Sequence, residues 1–171
     1  MVAVIGIDPS IASTGVACPD GRTFTSKGKA STGDARLVLL RNQLGPEIVS
    51  ATLAVIEDLP ANAMGAGLTG RAQGVVRELL QRHGVPYAQV APATLKKFAT
   101  GKGDGRGAEG KQAMRDALED FLMEDLPSSV DDNQVDAWWL RQMGLARLGE
   151  VEVLPHQVKS LAAVKWGSWG E

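Results

Sequence analysis

Two carboxylates each end a short apolar run of the chain. Asp8 closes the run V-A-V-I-G-I, and Glu57 closes the run T-L-A-V-I. Runs of this length and composition indicate buried β-strands, so each carboxylate would leave a rigid backbone and still reach solvent. If the two strands are neighbours in one sheet, the carboxylates converge, an arrangement that costs stability but suits a divalent cation. The plainer interpretation is that each acid marks an exposed strand end.

A third acidic group lies in the segment D-D-N-Q-V-D-A, residues 131–137. Asp132 and Asp136 are four residues apart and therefore share one side of a helix. The apolar residues that follow, Ala137 to Leu140, must dock the start of this helix against the core, which turns Asp136 inward. Acidic residues in a first helical turn are also ordinary partners of the helix dipole, so that interpretation stays open.

Three acidic sites near one end of a sheet predict a cage for hard cations. Their ligands would all be oxygens, which Mg²⁺ and Mn²⁺ prefer. Two such ions about 3.5–4 Å apart could clamp a phosphodiester, one activating water and the other stabilising the leaving oxygen. The pattern is therefore typical of a metal-dependent phosphodiester hydrolase.

The net charge of −2 argues against a uniformly basic surface for nucleic acids. The cations are nevertheless clustered, with six of them against two anions between Lys96 and Arg115. Such a stripe can follow a phosphate backbone, although a solvated helix face is the plainer interpretation. The candidate DNA-contacting residues are Lys96, Lys97, Lys102, Arg106 and Lys111.

Hydrophobic periodicity predicts the elements that must position these residues. Three strands over 2–8, 14–18 and 22–27 form an antiparallel meander, with Pro19-Asp20-Gly21 as one turn. Helices then alternate with strands. The predicted elements are a helix over 34–48, a strand over 52–57, a loop over 60–68, a helix over 69–83, a strand over 87–91, a helix from Pro92 to about Phe98, a mobile glycine-rich stretch over 100–107, and helices over 108–124 and 132–148.

This order of elements predicts a mixed α/β sheet within one domain over residues 1–149. Asp34 is the expected N-cap of the 34–48 helix, and Gly45-Pro46 is expected to break or kink it. Residues 150–171, which include Trp166 and Trp169, are expected to pack loosely on the domain or to lie at an interface.

The composition indicates a soluble intracellular protein. The chain has 171 residues, 44% of them hydrophobic, and Cys18 is its only cysteine. Its beginning has neither the basic region nor the long apolar core of a signal peptide, and no apolar run approaches the length of a membrane span. We expect it in the cytoplasm of a bacterial cell or of a phage-infected host.

Five motifs of the chain resemble, in order, those of the RuvC-type Holliday junction resolvases of the RNase H-like superfamily. The resemblance extends over residues 1–145. The motifs are I-G-I-D-P-S-I-A-S-T-G at 5–15, A-V-I-E at 54–57, L-T-G-R-A-Q-G-V-V at 68–76, A-P-A-T-L-K-K-F-A-T-G at 91–101 with A-E-G-K at 108–111, and D-D-N-Q-V-D-A at 131–137.

The resemblance implies an α/β RNase H-like fold, with a mixed five-stranded sheet of three antiparallel and then parallel strands, flanked by helices. It implies a homodimer that cuts four-way DNA junctions with two Mg²⁺ or Mn²⁺ ions per site, leaving 5′-phosphate and 3′-hydroxyl ends. Asp8, Glu57 and Asp136 would be catalytic metal ligands. Asp132 is the expected fourth ligand, although the family often places it three residues before Asp136, where this chain has Asn133, and Asp131 is a further alternative.

Lys96 and Lys111 are similar to the family's lysines that contact DNA or the transition state, with Gly110 as an extra residue beside them. Pro60 stands where cellular members carry an aromatic residue that works on the junction bases, a pattern closer to phage-type members. The helix over 69–83, with Gly74, is the candidate dimer element, and a plain core helix is the equal alternative.

Three other functions remain open. One is a nuclease of the same fold with a broader substrate range, such as flaps, forks or RNA-containing duplexes. Another is a non-catalytic module that binds branched DNA. The last is an ATP-dependent kinase of the actin-like superfamily, because the segment from Gly6 to Gly15 could cradle phosphates. That kinase fold needs two domains around the nucleotide, for which 171 residues are too few.

Overall fold

The computed structural model describes residues 2–28, 33–59, 66–103 and 107–167, without the side chains of residues 66 and 68. Five strands and six helices are found there. They are β1 (Val4–Asp8), β2 (Ser13–Ala17), β3 (Thr23–Lys27), α1 (Ala35–Val49), β4 (Leu53–Glu57), α2 (Ala66–Arg82), β5 (Tyr87–Val90), α3 (Pro92–Thr100), α4 (Gly107–Leu122), α5 (Asp132–Arg147) and α6 (Pro155–Ala162).

The five strands form one mixed sheet in the order β3-β2-β1-β4-β5. The first three strands are an antiparallel meander, as predicted, and β4 and β5 extend the sheet in parallel. Parallel neighbours carry their carboxyl ends to the same edge of the sheet. The prediction of a five-stranded mixed sheet is therefore confirmed, and β1 and β4 are adjacent in it.

The sheet divides the core into two layers. Side chains alternate along β1, so that Val4 joins the cluster of Trp139, Leu140 and Met143 from α5, while Ile5 lies in the opposite layer. Leu44 of α1 and Leu80 of α2 belong to that opposite layer. By the same alternation, Asp8 faces α5, since it lies four residues after Val4.

Several predicted boundaries differ from the structure. Helix α1 continues through Gly45 and Pro46, so the prediction of a break there is wrong. Asp34 precedes α1 but makes no capping hydrogen bond through its side chain, which instead pairs with Arg71 Nη1 at 3.6 Å. Helix α2 begins at 66 and α3 ends at Thr100, both beyond the predicted limits.

Helix α6 was not predicted; it lies in residues 150–171, for which the sequence predicted only loose packing on the domain or a place at an interface. It packs against α3, where His156 Nε2 lies 3.2 Å from the carbonyl oxygen of Phe98. Val164 is buried, and Trp166 donates a hydrogen bond to Leu161. The predicted mobile stretch falls partly on 104–106, which lie outside the described residues, as do Pro60 and Trp169.

Within the described part of the chain, no helix is both long and apolar enough to cross a membrane.

Candidate active site

The carboxylates of Asp8 and Glu57 lie together at the carboxyl ends of β1 and β4. Ile7 pairs with Ile56 in the parallel ladder, so the next residue of each strand is one of the two acids. Asp8 is only 9% exposed, and its carboxyl group is hydrogen-bonded to that of Glu57. The expectation that neighbouring strands make these two carboxylates converge is confirmed.

Burial is the largest cause of a raised pKa in both groups. Burial raises the pKa of Asp8 to about 6. Burial, together with the charges of Asp8 and Asp136, raises the pKa of Glu57 to about 9. A hydrogen bond between two carboxyl groups requires a proton on one of them, so the pair retains one proton at neutral pH.

Asp136 faces this pair from α5. Burial raises its pKa to about 7, and the charges of Asp8 and Asp132 add to the effect. In the described ranges, no three His, Cys, Asp or Glu side chains are already grouped so that they could hold a metal ion. Asp8 and Glu57 are hydrogen-bonded to each other, and Asp136 interacts with both through its charge.

Close packing of α5 on the sheet sets the position of Asp136. Gly6 of β1 lies against the backbone of Ala137, and an added Cβ at Gly6 would come within 2.5 Å of the backbone nitrogen of Arg141. Gly15 of β2 lies against the carbonyl group of Asn133 in the same way. Helix and sheet backbones therefore touch directly, which brings the first two turns of α5 over the ends of β1 and β2.

Asp131 caps α5 and ties it to β3. Its side chain accepts hydrogen bonds from Thr25 Oγ1 at 2.7 Å and from the backbone nitrogen of Gln134 at 3.2 Å. Lys27 Nζ lies 2.9 Å from its other oxygen. Although burial opposes the effect, the bonds from Lys27 and Thr25 hold the pKa of Asp131 below its usual value.

The next two residues have different partners. Asp132 Oδ2 pairs with Lys111 Nζ at 3.0 Å, and its side chain is 45% exposed. Asn133 Nδ2 donates a hydrogen bond to Ser13 Oγ at 3.2 Å. The residues of the acidic motif therefore have different partners: Asp136 interacts electrostatically with both Asp8 and Glu57, whereas Asp131 interacts with Asp8.

Two of the five predicted basic residues reach the carboxylates. Lys96 of α3 interacts electrostatically with Glu57 and Asp136, and Lys111 of α4 interacts with Asp8 and Asp136. Lys97 and Lys102 are exposed at the end of α3 and just after it. Arg106 lies outside the described residues. Gly110, the extra residue of the sequence motif, is buried within α4 and does not interrupt it.

Arg115, counted with the basic stripe, has a structural role. Its guanidinium donates to the carbonyl oxygens of Leu126 at 3.0 Å and Val130 at 2.9 Å. These bonds fold the segment between α4 and α5 back onto α4. They also hold in place the segment that leads into Asp131, the first residue of the acidic motif.

The sequence did not single out several residues that support the site. Gln73 of α2 is 5% exposed and donates a hydrogen bond to the backbone oxygen of Glu57 at 3.2 Å. The sequence feature that could have identified Gln73 is its position, as a polar residue, between Ala72 and Val76, which were predicted to face the core. Thr25 and Lys27 carry no comparable signal, since their partner Asp131 is more than a hundred residues away in the chain.

The chain is similar to known resolvases in both sequence and structure. No protein-family model matches it. The crossover junction endodeoxyribonuclease RuvC of Sorangium cellulosum (strain So ce56) is 36% identical to it over 93 residues, which are 52% of this chain and 52% of that protein. The match therefore spans about half the length of this curated relative.

Two solved structures from Thermus thermophilus share the fold. A structure of its RuvC matches with a TM-score of 0.67 at 19% identity, and its RuvC in complex with a Holliday junction substrate matches with a TM-score of 0.64 at 20% identity. Each match covers 90% of this chain and 100% of the other. The resemblance read from the motifs is thus confirmed: the chain has the RNase H-like fold of the RuvC resolvases and is similar to them in sequence.

Proposed function

We propose that this protein is a structure-selective endodeoxyribonuclease that resolves four-way DNA junctions by metal-dependent hydrolysis of phosphodiester bonds. The observation that carries the proposal is the buried, hydrogen-bonded contact of Asp8 with Glu57, faced by Asp136. Burial raises the pKa of all three acids, and a fold gains no stability from withdrawing such groups from water, so their grouping calls for a functional reason. The similarity to RuvC proteins supports the same activity.

The carboxylates fit a site for hard divalent cations, because they offer only oxygen ligands from rigid elements. A bound divalent cation would supply the positive charge that makes the crowding of Asp8, Glu57 and Asp136 tolerable. We assign Asp8, Glu57 and Asp136 as the ligands of Mg²⁺ or Mn²⁺, with two ions per site, which when bound supply an activated water and charge stabilisation of the leaving oxygen.

Two lysines would complete the catalytic centre. Lys96 and Lys111 approach the carboxylates from α3 and α4, where their ammonium groups can bind the non-bridging oxygens of a phosphate. In that position they would stabilise the negative charge that develops during hydrolysis. Lys97, Lys102 and Arg106 would contact neighbouring phosphates and contribute affinity that falls as salt rises.

Junction resolution needs two cuts, one in each of two strands, and a two-fold symmetric dimer supplies two sites. The structural relative bound to a Holliday junction supports this substrate. We assign the exposed side of α2 around Gly74 as the dimer element, since an added Cβ at Gly74 would meet nothing within 4 Å and a second helix can approach closely there. Sedimentation across a range of concentrations tests the dimer.

Residues 1–149 would form the nuclease unit, and residues 150–171 would brace it through the packing of α6 on α3. The place of action would be the cytoplasm of a bacterial cell or of a phage-infected host.

The decisive experiment offers the protein end-labelled junction, flap, fork and plain duplex DNA, with Mg²⁺, with Mn²⁺ or with chelator. Paired cuts in the junction, dependent on the metal and leaving 5′-phosphate ends, would support resolution. Equal cutting of flaps and forks would indicate a broader branched-DNA nuclease. Junction binding with no cleavage under any metal would indicate a non-catalytic module and would overturn the proposal.

A further inference from the structure

The acidic motif at the start of α5 contains three polar residues in a row, and each has a different partner. Asp131 is committed to the helix cap, Thr25 and Lys27. Asn133 is committed to Ser13 on β2 through its amide nitrogen. Asp132 alone reaches toward α4, where its partner is the ammonium group of Lys111. The three positions that a sequence motif leaves equivalent are therefore distinct in their contacts.

Among the described residues, Lys111 is the only one of these partners that also faces the catalytic carboxylates, namely Asp8 and Asp136. The bond to Asp132 is the main cause that raises the pKa of Lys111, followed by the charges of Asp136 and Asp8. Helix α4 is anchored by the buried residues Met114 and Leu118, which fix the Cα of Lys111 but not its long side chain. A free lysine side chain samples many rotamers, so a fixed carboxylate beside it narrows the positions of the ammonium group.

We propose that Asp132 is a positioning residue that holds the Lys111 ammonium group beside Asp8 and Asp136, and that it does not bind the catalytic ion. The inference rests on the proposed nuclease function and deepens it. An ammonium group has three N–H donors. One donor meets Asp132 Oδ2, and the other two remain for the non-bridging oxygens of a phosphate held between the carboxylates.

The two roles of Asp132 predict different consequences of its loss. An ion pair with both side chains about half exposed contributes little, so removing it would slow cleavage only about 3–5-fold. Loss of a metal ligand would weaken metal binding by at least about ten-fold. Loss of Lys111 itself would cost about 100-fold in rate, the usual effect of removing one group that stabilises developing charge.

The test is a double-mutant cycle on the full-length protein, built from Asp132→Asn and Lys111→Met. Single-turnover cleavage of a labelled junction is measured together with Mn²⁺ binding by calorimetry. We expect Asp132→Asn to slow cleavage about 3–5-fold, with KM and Mn²⁺ affinity unchanged within about two-fold. In the Lys111→Met background it should have no further effect, because the group that it positions is gone.

Three controls separate positioning from other roles. Asp132→Glu retains the charge and can still reach Lys111, so it should restore the wild-type rate. Asp120→Asn removes an exposed carboxylate from α4 and should leave the rate unchanged. Thermal unfolding of Asp132→Asn reports any loss of helix-dipole stabilisation, which would slow cleavage equally in both backgrounds of the cycle.

Two results would overturn the inference. One is a weakening of Mn²⁺ binding by about ten-fold or more in Asp132→Asn, which would make the residue a ligand. The other is the same loss of rate in the presence and absence of Lys111. Failure of the proposed function gives a different result, namely that the wild-type protein cleaves none of the branched substrates. In that case Mn²⁺ binding by Asp132→Asn still decides whether Asp132 is a ligand.

Discussion

Gly15 of β2 lies so close to the backbone carbonyl of Asn133 in α5 that no side chain fits between them. The contact joins the meander to the helix that carries Asp136. Because Asp136 comes three residues after Asn133, nearly one helical turn, the position of this acid depends on a residue that has no polar group of its own. Glycine at position 15 is therefore required for the close packing that places Asp136 at the candidate site.

Replacing Gly15 with alanine should displace α5 from the sheet. We expect Gly15→Ala to lower the free energy of unfolding by about 3 kcal/mol, the upper end of the range for overpacked cores, and to reduce cleavage together with stability. Denaturant unfolding and single-turnover cleavage measure the two effects. Gly45→Ala in α1 is the matched control, because nothing lies within 4 Å of its added Cβ and alanine favours a helix by about 0.5–1 kcal/mol. Equal stability of the two variants would contradict the packing argument.

The metal-free protein should lose stability as the pH rises from about 5 to about 9. The pKa values of Asp8, Asp136 and Glu57 are raised from 3.8, 3.8 and 4.5 to about 6, about 7 and about 9. The folded protein therefore binds these protons more tightly than the unfolded chain. The stabilisation is complete below the unfolded values and disappears as the pH rises through the folded ones.

Thermal unfolding in chelator at a series of pH values measures this loss. Asp8→Asn should flatten the dependence, because it removes one of the repelling charges. Mn²⁺ should raise the Tm more at alkaline than at acidic pH, since protons then no longer compete with the cation for the carboxylates. A Tm in chelator that rises steadily between pH values of about 5 and about 9 would refute the assignment.

The Asp8→Asn and Glu57→Gln variants should cleave junction DNA at less than about 1% of the wild-type rate while they still bind it. Under the proposed function, the charge that they remove would hold the cation, whereas the lysines would contact the phosphates. Cleavage and gel-shift assays on the same preparations separate the two properties. Asp58→Asn is the matched control, because Asp58 follows Glu57 but is bonded to Gln89 Nε2 at 3.0 Å and to the backbone nitrogen of Leu59 at 2.8 Å. Retained cleavage by Asp8→Asn would exclude the metal assignment.

Removing the cap of α5 should weaken the fold and the site together. We expect Asp131→Ala to lower the free energy of unfolding by about 1–2 kcal/mol, because the helix cap and its links to Thr25 and Lys27 are lost. Asp34→Ala is the control, since Asp34 precedes α1 without a capping hydrogen bond, and its stability should change by less than about 0.5 kcal/mol. Chemical denaturation distinguishes the pair, and an equal loss in both variants would show that capping is not the cause.

The periodicity of the chain correctly predicted all five strands, and the apolar runs before Asp8 and Glu57 correctly marked their carboxyl ends. These features are local, because the alternation of side chains on a strand depends only on neighbouring residues. Helix ends were predicted less well. Pro46 lies within α1, since proline lacks only one helical hydrogen bond and the buried side chains of Leu44 and Ile48 hold the helix on the core.

The amino-acid sequence by itself determined which acids end which strands, and the motif at 131–137 determined which helix would bring the third. Only the tertiary structure decided that β1 and β4 are neighbours, that Asp131 caps α5, that Asp132 pairs with Lys111 and that Asn133 is hydrogen-bonded to Ser13. The physical reason is distance along the chain: these partners are supplied by strands and helices that local patterns cannot relate. The close contact of α5 with the glycines of β1 and β2 then places Asp136 where its charge acts on both Asp8 and Glu57.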